Sequence, residues 1–149
     1  WIDFIHGLPK DQAVVLMGAP NEAELSAKIA AACTHQNIHN LTGILGLQEA
    51  IGVYQEAALA FVNDSGPMHI CSAVNTPTVA VFCSTTPDFG FGPLSTRNRV
   101  IEAKEKLACK PCGSHGKKSC PLAHYACGHG IQGNQLVDAY QAFLSARSE

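Results

Sequence analysis

The sequence predicts an α/β fold, a parallel sheet with helices on both faces. Short apolar runs alternate with segments whose apolar residues recur at helical spacing. The runs are apolar throughout instead of alternating with polar residues, the pattern of strands covered on both sides. Turn residues punctuate them: Gly18, Thr42-Gly43 and Asp64-Ser65-Gly66. At 149 residues the chain is long enough to bury a core and has the size of one domain.

Taken in order, residues 1–5 read as the end of a helix, and Leu8-Pro9-Lys10-Asp11 as a break. Residues 13–17 form a buried strand ending at Gly18. Asn21 with Glu24 three residues later has the form of a capping box, and Leu25, Ile29, Ala32 and Cys33 continue at helical spacing. Residues 38–41 are a short second strand. Leu47, Ala50, Ile51, Val53, Tyr54 and Ala57 mark a second amphipathic helix. A third strand lies in the run 57–62 and ends near Asn63. Pro67 suits the first helical position, where its fixed φ and missing N–H cost nothing. Residues 78–82 are a β-branched fourth strand, and 99–101 could be one more. Residues 107–133 are rich in Cys, His and Gly and show no period, and Leu136, Val137, Tyr140, Phe143 and Leu144 mark a final helix.

In such sheets ligands bind beyond the carboxyl ends of the strands. Four loops then share one rim, residues 18–21, 42–46, 64–66 and 83–93. The Asp64 turn leads from a strand into a helix, so free backbone N–H groups and the positive end of a helix dipole offer a seat for phosphate. An ordinary turn, with Asp64 or Ser65 as a plain N-cap, is the alternative.

Formal net charge is −2, with no basic or acidic block, so nothing points to nucleic acid. No apolar run reaches the length of a membrane span. There is no G-x-G-x-x-G after the first strand, no Walker A sequence and no Asp-x-Asp pair. A nucleotide diphosphate bound here would have its charge carried by backbone N–H groups, hydroxyls and a helix dipole, with no metal required.

Asp64-Ser65-Gly66-Pro67-Met68-His69, then Ala73, then residues 76–82 resemble the heptosyltransferase family of glycosyltransferases. The similarity extends to Gly18 and Glu22, to Leu41-Thr42-Gly43, to Thr85-x-Pro87, to Gly92-Pro93, and to the cysteine segment that begins at Cys109. The resemblance implies a GT-B architecture of two Rossmann-like domains, of which residues 1–149 are similar to the C-terminal, donor-binding one. It implies transfer of heptose from the nucleotide sugar ADP-heptose to the lipopolysaccharide inner core, with inversion. The catalytic general base and the acceptor contacts are expected in an N-terminal domain that this chain lacks, so the chain alone is expected to be inactive. Location would be cytoplasmic, or at the cytoplasmic face of the inner membrane.

Carried over by motif, Asp64 would meet the donor sugar, Ser65 and Gly66 would hold the diphosphate, and His69 would approach the phosphates. Glu22 or Glu24 would bind the ribose, although Glu24 could simply close the capping box. Leu41, Thr42, Gly43 and Ile44 would border the base. Ser65 stands where Thr is commoner and Ile44 where many relatives have Lys, while Cys83 and Thr86 replace the commoner Gly and Asp. These departures put the sugar in doubt, not the class.

Cys109, Cys112, Cys120 and Cys127 could form a four-thiolate zinc site, with His115, His124 and His129 as spare ligands. A loop packed around small buried cysteines, or a disulfide, are the alternatives. Lys110, Lys117 and Lys118 make this loop locally basic, suited to an anionic acceptor or a peripheral membrane contact, or simply solvated. Two other classes of function stay open at this point: a non-catalytic nucleotide-binding domain and a zinc-dependent interaction module.

Overall fold

The computed structural model describes residues 1–146. Its elements run α1 (Ile2–His6), β1 (Val14–Leu16), α2 (Ala23–Ala32), β2 (Ile38–Asn40), α3 (Leu47–Glu56), β3 (Ala60–Asn63), α4 (Gly66–Ala73), β4 (Thr78–Val81), β5 (Asn98–Ile101), α5 (Ala126–His129) and α6 (Gly133–Ser145). The expected alternation is present, and every strand pair is parallel.

The strands form two ladders and not one sheet. One is β1–β2, with Val14 opposite Ile38, and the other is β3–β4–β5, with Ala60 opposite Thr78 and Thr78 opposite Asn98. Both send side chains into one core. Val14, Leu16 and Ile38 pack against the cluster of Phe4, Ile5, Val79, Val81, Ile101, Leu136, Ala139 and Tyr140, beneath α1 and α6. On the opposite face Ala60, Val62, Ala80 and Phe82 pack with Met68 and Cys71 of α4 and with Tyr54 of α3. β4 is buried at all four positions, which explains its unbroken β-branched and small sequence.

Three boundaries depart from the sequence reading. A 3₁₀ turn at Pro20–Glu22 precedes α2, and Glu22 accepts the Ala19 N–H at 2.8 Å. Pro20 fixes φ and starts that turn early, so the reach-back falls to Glu22 and not Glu24. The strand predicted from residue 57 begins at Ala60, because α3 runs to Glu56 and residues 57–59 make the turn. α4 begins at Gly66, one residue before Pro67. The aperiodic stretch is irregular as expected, except for the four residues of α5.

Candidate functional site

The turns that follow β1 and β2 interlock. Gly43 N–H donates to the Gly18 carbonyl at 3.0 Å. Gly43 sits at φ +74, and a side chain there would meet the Pro20 Cα at 2.8 Å. At Gly18 an added Cβ would lie 2.9 Å from the Glu22 carboxylate and 3.2 Å from the Thr42 methyl. Glycine is therefore required at Gly43 by conformation, whereas at Gly18 an added side chain would crowd Glu22 and Thr42. Thr42 is buried, with its N–H held by Asn40 Oδ1 at 3.1 Å, and its hydroxyl has no partner among the described residues. Ile44, 68% exposed, projects beside it.

The turns that follow β3 and β4 form the other side of the rim. Asp64 N–H extends the β3–β4 ladder by donating to Val81 at 3.0 Å, and its Oδ2 accepts from the buried Thr85 hydroxyl. Ser65 occupies the N-cap of α4 in extended conformation, yet its hydroxyl donates to the Asn63 carbonyl at 3.3 Å and caps no helix N–H. The first-turn N–H groups of α4 are thus left without a side-chain cap. Space is open where a Cβ on Gly66 would point, and His69 is exposed on the first turn. Asp64, Ser65, Gly66 and His69 therefore share one end of α4, and Glu22, Thr42, Gly43 and Ile44 share the interlocked turns. Glu24 joins neither group. Its carboxylate is exposed and pairs with Lys28 at 2.7 Å, one helical turn on.

Thr85 stood in a sequence pattern but carried no assigned role. Its hydroxyl meets Asp64 across twenty-one positions, and nothing in the Thr-x-Pro spacing after β4 signals that contact. Lys110 is corrected more sharply. Instead of a solvated basic residue it is an internal strut, its side chain 15% exposed, donating to Phe82 O at 3.0 Å and to Glu102 Oε1 at 2.6 Å. It ties the cysteine-rich loop to the carboxyl ends of β4 and β5. Gly116, at φ +72, lies so close to Ser84 that a Cβ would approach Ser84 Oγ to 2.6 Å, and Cys112 N–H donates to Ser84 O at 2.7 Å. Lys117 and Lys118 remain exposed.

Cys83, Cys109, Cys112, Cys120 and Cys127 line one cavity of about 610 Å³ beside this rim. All are free thiols. Among the described residues no three Cys, His, Asp or Glu side chains are grouped to hold a metal ion, and the Cys109 Sγ to His124 Nε2 separation is 3.9 Å. Cys120 is held below the usual thiol range, chiefly by the Tyr125 N–H, with those of Leu122, His124 and Ala123 adding to it against desolvation. Burial pushes the Cys83 thiol up. Among the described residues no helix is long and apolar enough to cross a membrane.

The sequence pattern of Glycosyltransferase family 9 (heptosyltransferase) matches residues 3–125. Lipopolysaccharide heptosyltransferase 2 of Escherichia coli is 36% identical over 91 residues, covering 59% of this chain and 26% of that protein. Lipooligosaccharide heptosyltransferase 2 of Campylobacter jejuni is 30% identical over 137 residues, covering 88% of this chain and 40% of that protein. The solved Escherichia coli ADP-heptose lipopolysaccharide heptosyltransferase II superposes with a TM-score of 0.72 at 29% identity, over 92% of this chain and 38% of its own. The glycosyl transferase family 9 structure from Veillonella parvula, at 22% identity and a TM-score of 0.78, shares the fold over 97% of this chain and 41% of its own. The chain thus spans between about a quarter and two-fifths of the length of these relatives.

Proposed function

The chain belongs to glycosyltransferase family 9, the heptosyltransferase family, and from that we propose that it forms the nucleotide-sugar donor site of an enzyme transferring heptose from ADP-heptose to the lipopolysaccharide inner core. The observation that carries the reading is the uncapped start of α4. Its N–H groups, the Ser65 hydroxyl and the open space beside Gly66 converge where a diphosphate would sit. Asp64, oriented by the Thr85 hydroxyl, faces the sugar side. His69 lies one turn along the helix. Glu22 accepts the Ala19 N–H through Oε2, which leaves Oε1 to accept from a ribose hydroxyl. Leu41, Thr42, Gly43 and Ile44 border the base.

Glycosyl transfer needs the departing diphosphate stabilised as the sugar–oxygen bond breaks. Preorganised N–H groups and a helix dipole supply that without a metal. The two rim carboxylates, Asp64 and Glu22, belong to different turns and each already accepts a protein hydrogen bond, unlike a paired clamp for a metal–diphosphate complex. Direct displacement at the anomeric carbon inverts it. The general base and the acceptor site belong to a partner domain outside residues 1–149, working at the cytoplasmic face of the inner membrane.

Calorimetry with ADP and adenosine tests the reading. ADP is expected to bind more tightly, to do so equally in EDTA, and to lose about 0.5–1.5 kcal/mol, or up to ~3 if the bond is charge-assisted, in Ser65→Ala. Equal affinity for ADP and adenosine would overturn the diphosphate assignment, and abolition by EDTA with the fold intact would overturn the metal-free account.

A further inference from the structure

Cys83, Cys109, Cys112, Cys120 and Cys127 line one cavity of about 610 Å³, a volume that holds a small molecule. Among the described residues they are not grouped as ligands of one ion. His124 shows part of the reason. Its Nδ1 accepts the Ala126 N–H at 2.9 Å, so the neutral ring carries its proton on Nε2. Nε2 therefore offers the Cys109 sulfur, 3.9 Å away, a hydrogen, with no lone pair for a metal to share.

The backbone after Cys120 folds around that residue's sulfur. Ala123 and Tyr125 lie in the left-handed region, at φ 55 and 48, and the Ala123 N–H closes a turn on the Cys120 carbonyl at 3.0 Å. Four successive N–H groups, from Leu122 to Tyr125, bond to the sulfur, with Tyr125 contributing most. Successive N–H groups on one concave face hold an anion, and here the anion is the chain's own thiolate. Left-handed backbone at two residues other than glycine costs energy, and it persists only where its surroundings fix it. Cys33, Cys71 and Cys83 move the other way, their thiols pushed up by burial.

The approach to Cys120 is open, because residues 121–125 are exposed. Its charge is one-sided. Lys117 and Lys118 stand exposed on the cavity wall, and among the described residues no carboxylate lines it. Pro121, Leu122 and Tyr125 supply apolar surface. A sulfur presented as an anion, beside two cations and an apolar wall, suits attack on a small, negatively charged molecule with a soft electrophilic centre.

We propose that Cys120 is a thiol–disulfide exchange site whose substrate is the disulfide of a small anionic thiol compound, received in this cavity. The Cys120 thiolate attacks one sulfur of that disulfide. A new S–S bond forms to Cys120 as the reagent's S–S bond breaks, and the departing thiolate takes a proton from water. Cys120 is thereby oxidised and the reagent reduced to its thiol, with no further oxidant needed.

Oxidised glutathione serves as the probe, with no nucleotide present, so the outcome is independent of the donor reading. The reduced chain receives less than one equivalent without oxygen, is quenched with N-ethylmaleimide at intervals and is mapped by peptide mass. Cys120 is expected to acquire glutathione, or a disulfide to a neighbour that displaces it, about tenfold or more faster than any of the other six cysteines. In urea, where the ring of N–H groups is lost, that preference is expected to vanish. Cys120→Ser should remove the fast phase and leave the melting temperature unchanged. The double variant Lys117→Gln, Lys118→Gln should slow glutathione by about threefold or more and leave the uncharged hydroxyethyl disulfide unaffected. First labelling at another cysteine, or the same preference folded and in urea, would overturn the assignment of Cys120. An unchanged glutathione rate in the lysine variant would overturn the anionic class of substrate.

Discussion

Gly66 separates a fold requirement from a ligand requirement. Its φ lies outside the left-handed region and nothing approaches within 4 Å of an added Cβ. Gly66→Val is therefore expected to change stability by no more than about 0.5 kcal/mol. If α4 receives a diphosphate, the same variant weakens ADP binding by about tenfold or more, roughly 1.4 kcal/mol. Melting temperature and calorimetry on one preparation read both quantities, and a large stability loss would show that the turn itself needs the glycine. Thr85 should behave in the opposite way. Thr85→Val strips the donor from Asp64 Oδ2 in a buried setting and is expected to cost about 1–3 kcal/mol of folding stability in urea titration. Neither outcome could be read from the sequence. Gly66 sits in a motif whether or not the fold needs it, and a hydroxyl twenty-one positions from its acceptor leaves no mark on periodicity.

Where elements meet, the α3–α4 contact carries two groups that burial keeps protonated. The Cys71 thiol is pushed up to about 11, and the Tyr54 hydroxyl up to about 12, by desolvation first and then by Cys71 and Glu22 nearby. The unfolded chain releases these protons at lower pH than the folded one. Their contribution to stability is thus intact below about pH 8.5, the ordinary thiol value, and is lost as pH climbs through the folded values. Urea midpoints measured from pH 8 to 11 should fall once pH passes about 9, and Cys71→Ala should flatten the early part of that fall. A midpoint constant to pH 11 would mean that the contact is wetter than the structure shows. The strands and helices on either side of this contact were legible from apolar periodicity. Their edges were not, because Pro20 moves a helix start and α3 runs on to Glu56, and both depend on local backbone geometry.

At the scale of the whole molecule, the class of fold and the membership of the chain were both readable in advance. Uninterrupted runs such as residues 78–81 reflect burial on two faces, and the segment from Asp64 to His69 carries enough chemistry to be distinctive. The split of the sheet was not readable. Periodicity reports which side of a strand is apolar, whereas pairing depends on which strand lies alongside, and β1 looks the same beside a neighbour or without one. Lys110 misled for a related reason. A charge in a polar loop reads as solvated until the loop folds back and places the ammonium on Phe82 and Glu102.

That lysine also decides where a protease can enter. Trypsin needs a lysine side chain free to fill its specificity pocket and a residue other than proline after it. Lys110 is engaged and precedes Pro111, whereas Lys117 and Lys118 on the same loop are exposed. Brief digestion is expected to nick the chain at 117–118 and spare Lys110. The carboxyl fragment should stay docked, because Leu136, Ala139 and Tyr140 remain in the core and the Tyr140 hydroxyl donates to Gln12 at 2.8 Å. The cut protein should then elute at its native size and part into two bands only on a denaturing gel, whereas separation of the fragments on sizing would mean that the α6 contacts do not hold the carboxyl fragment in place.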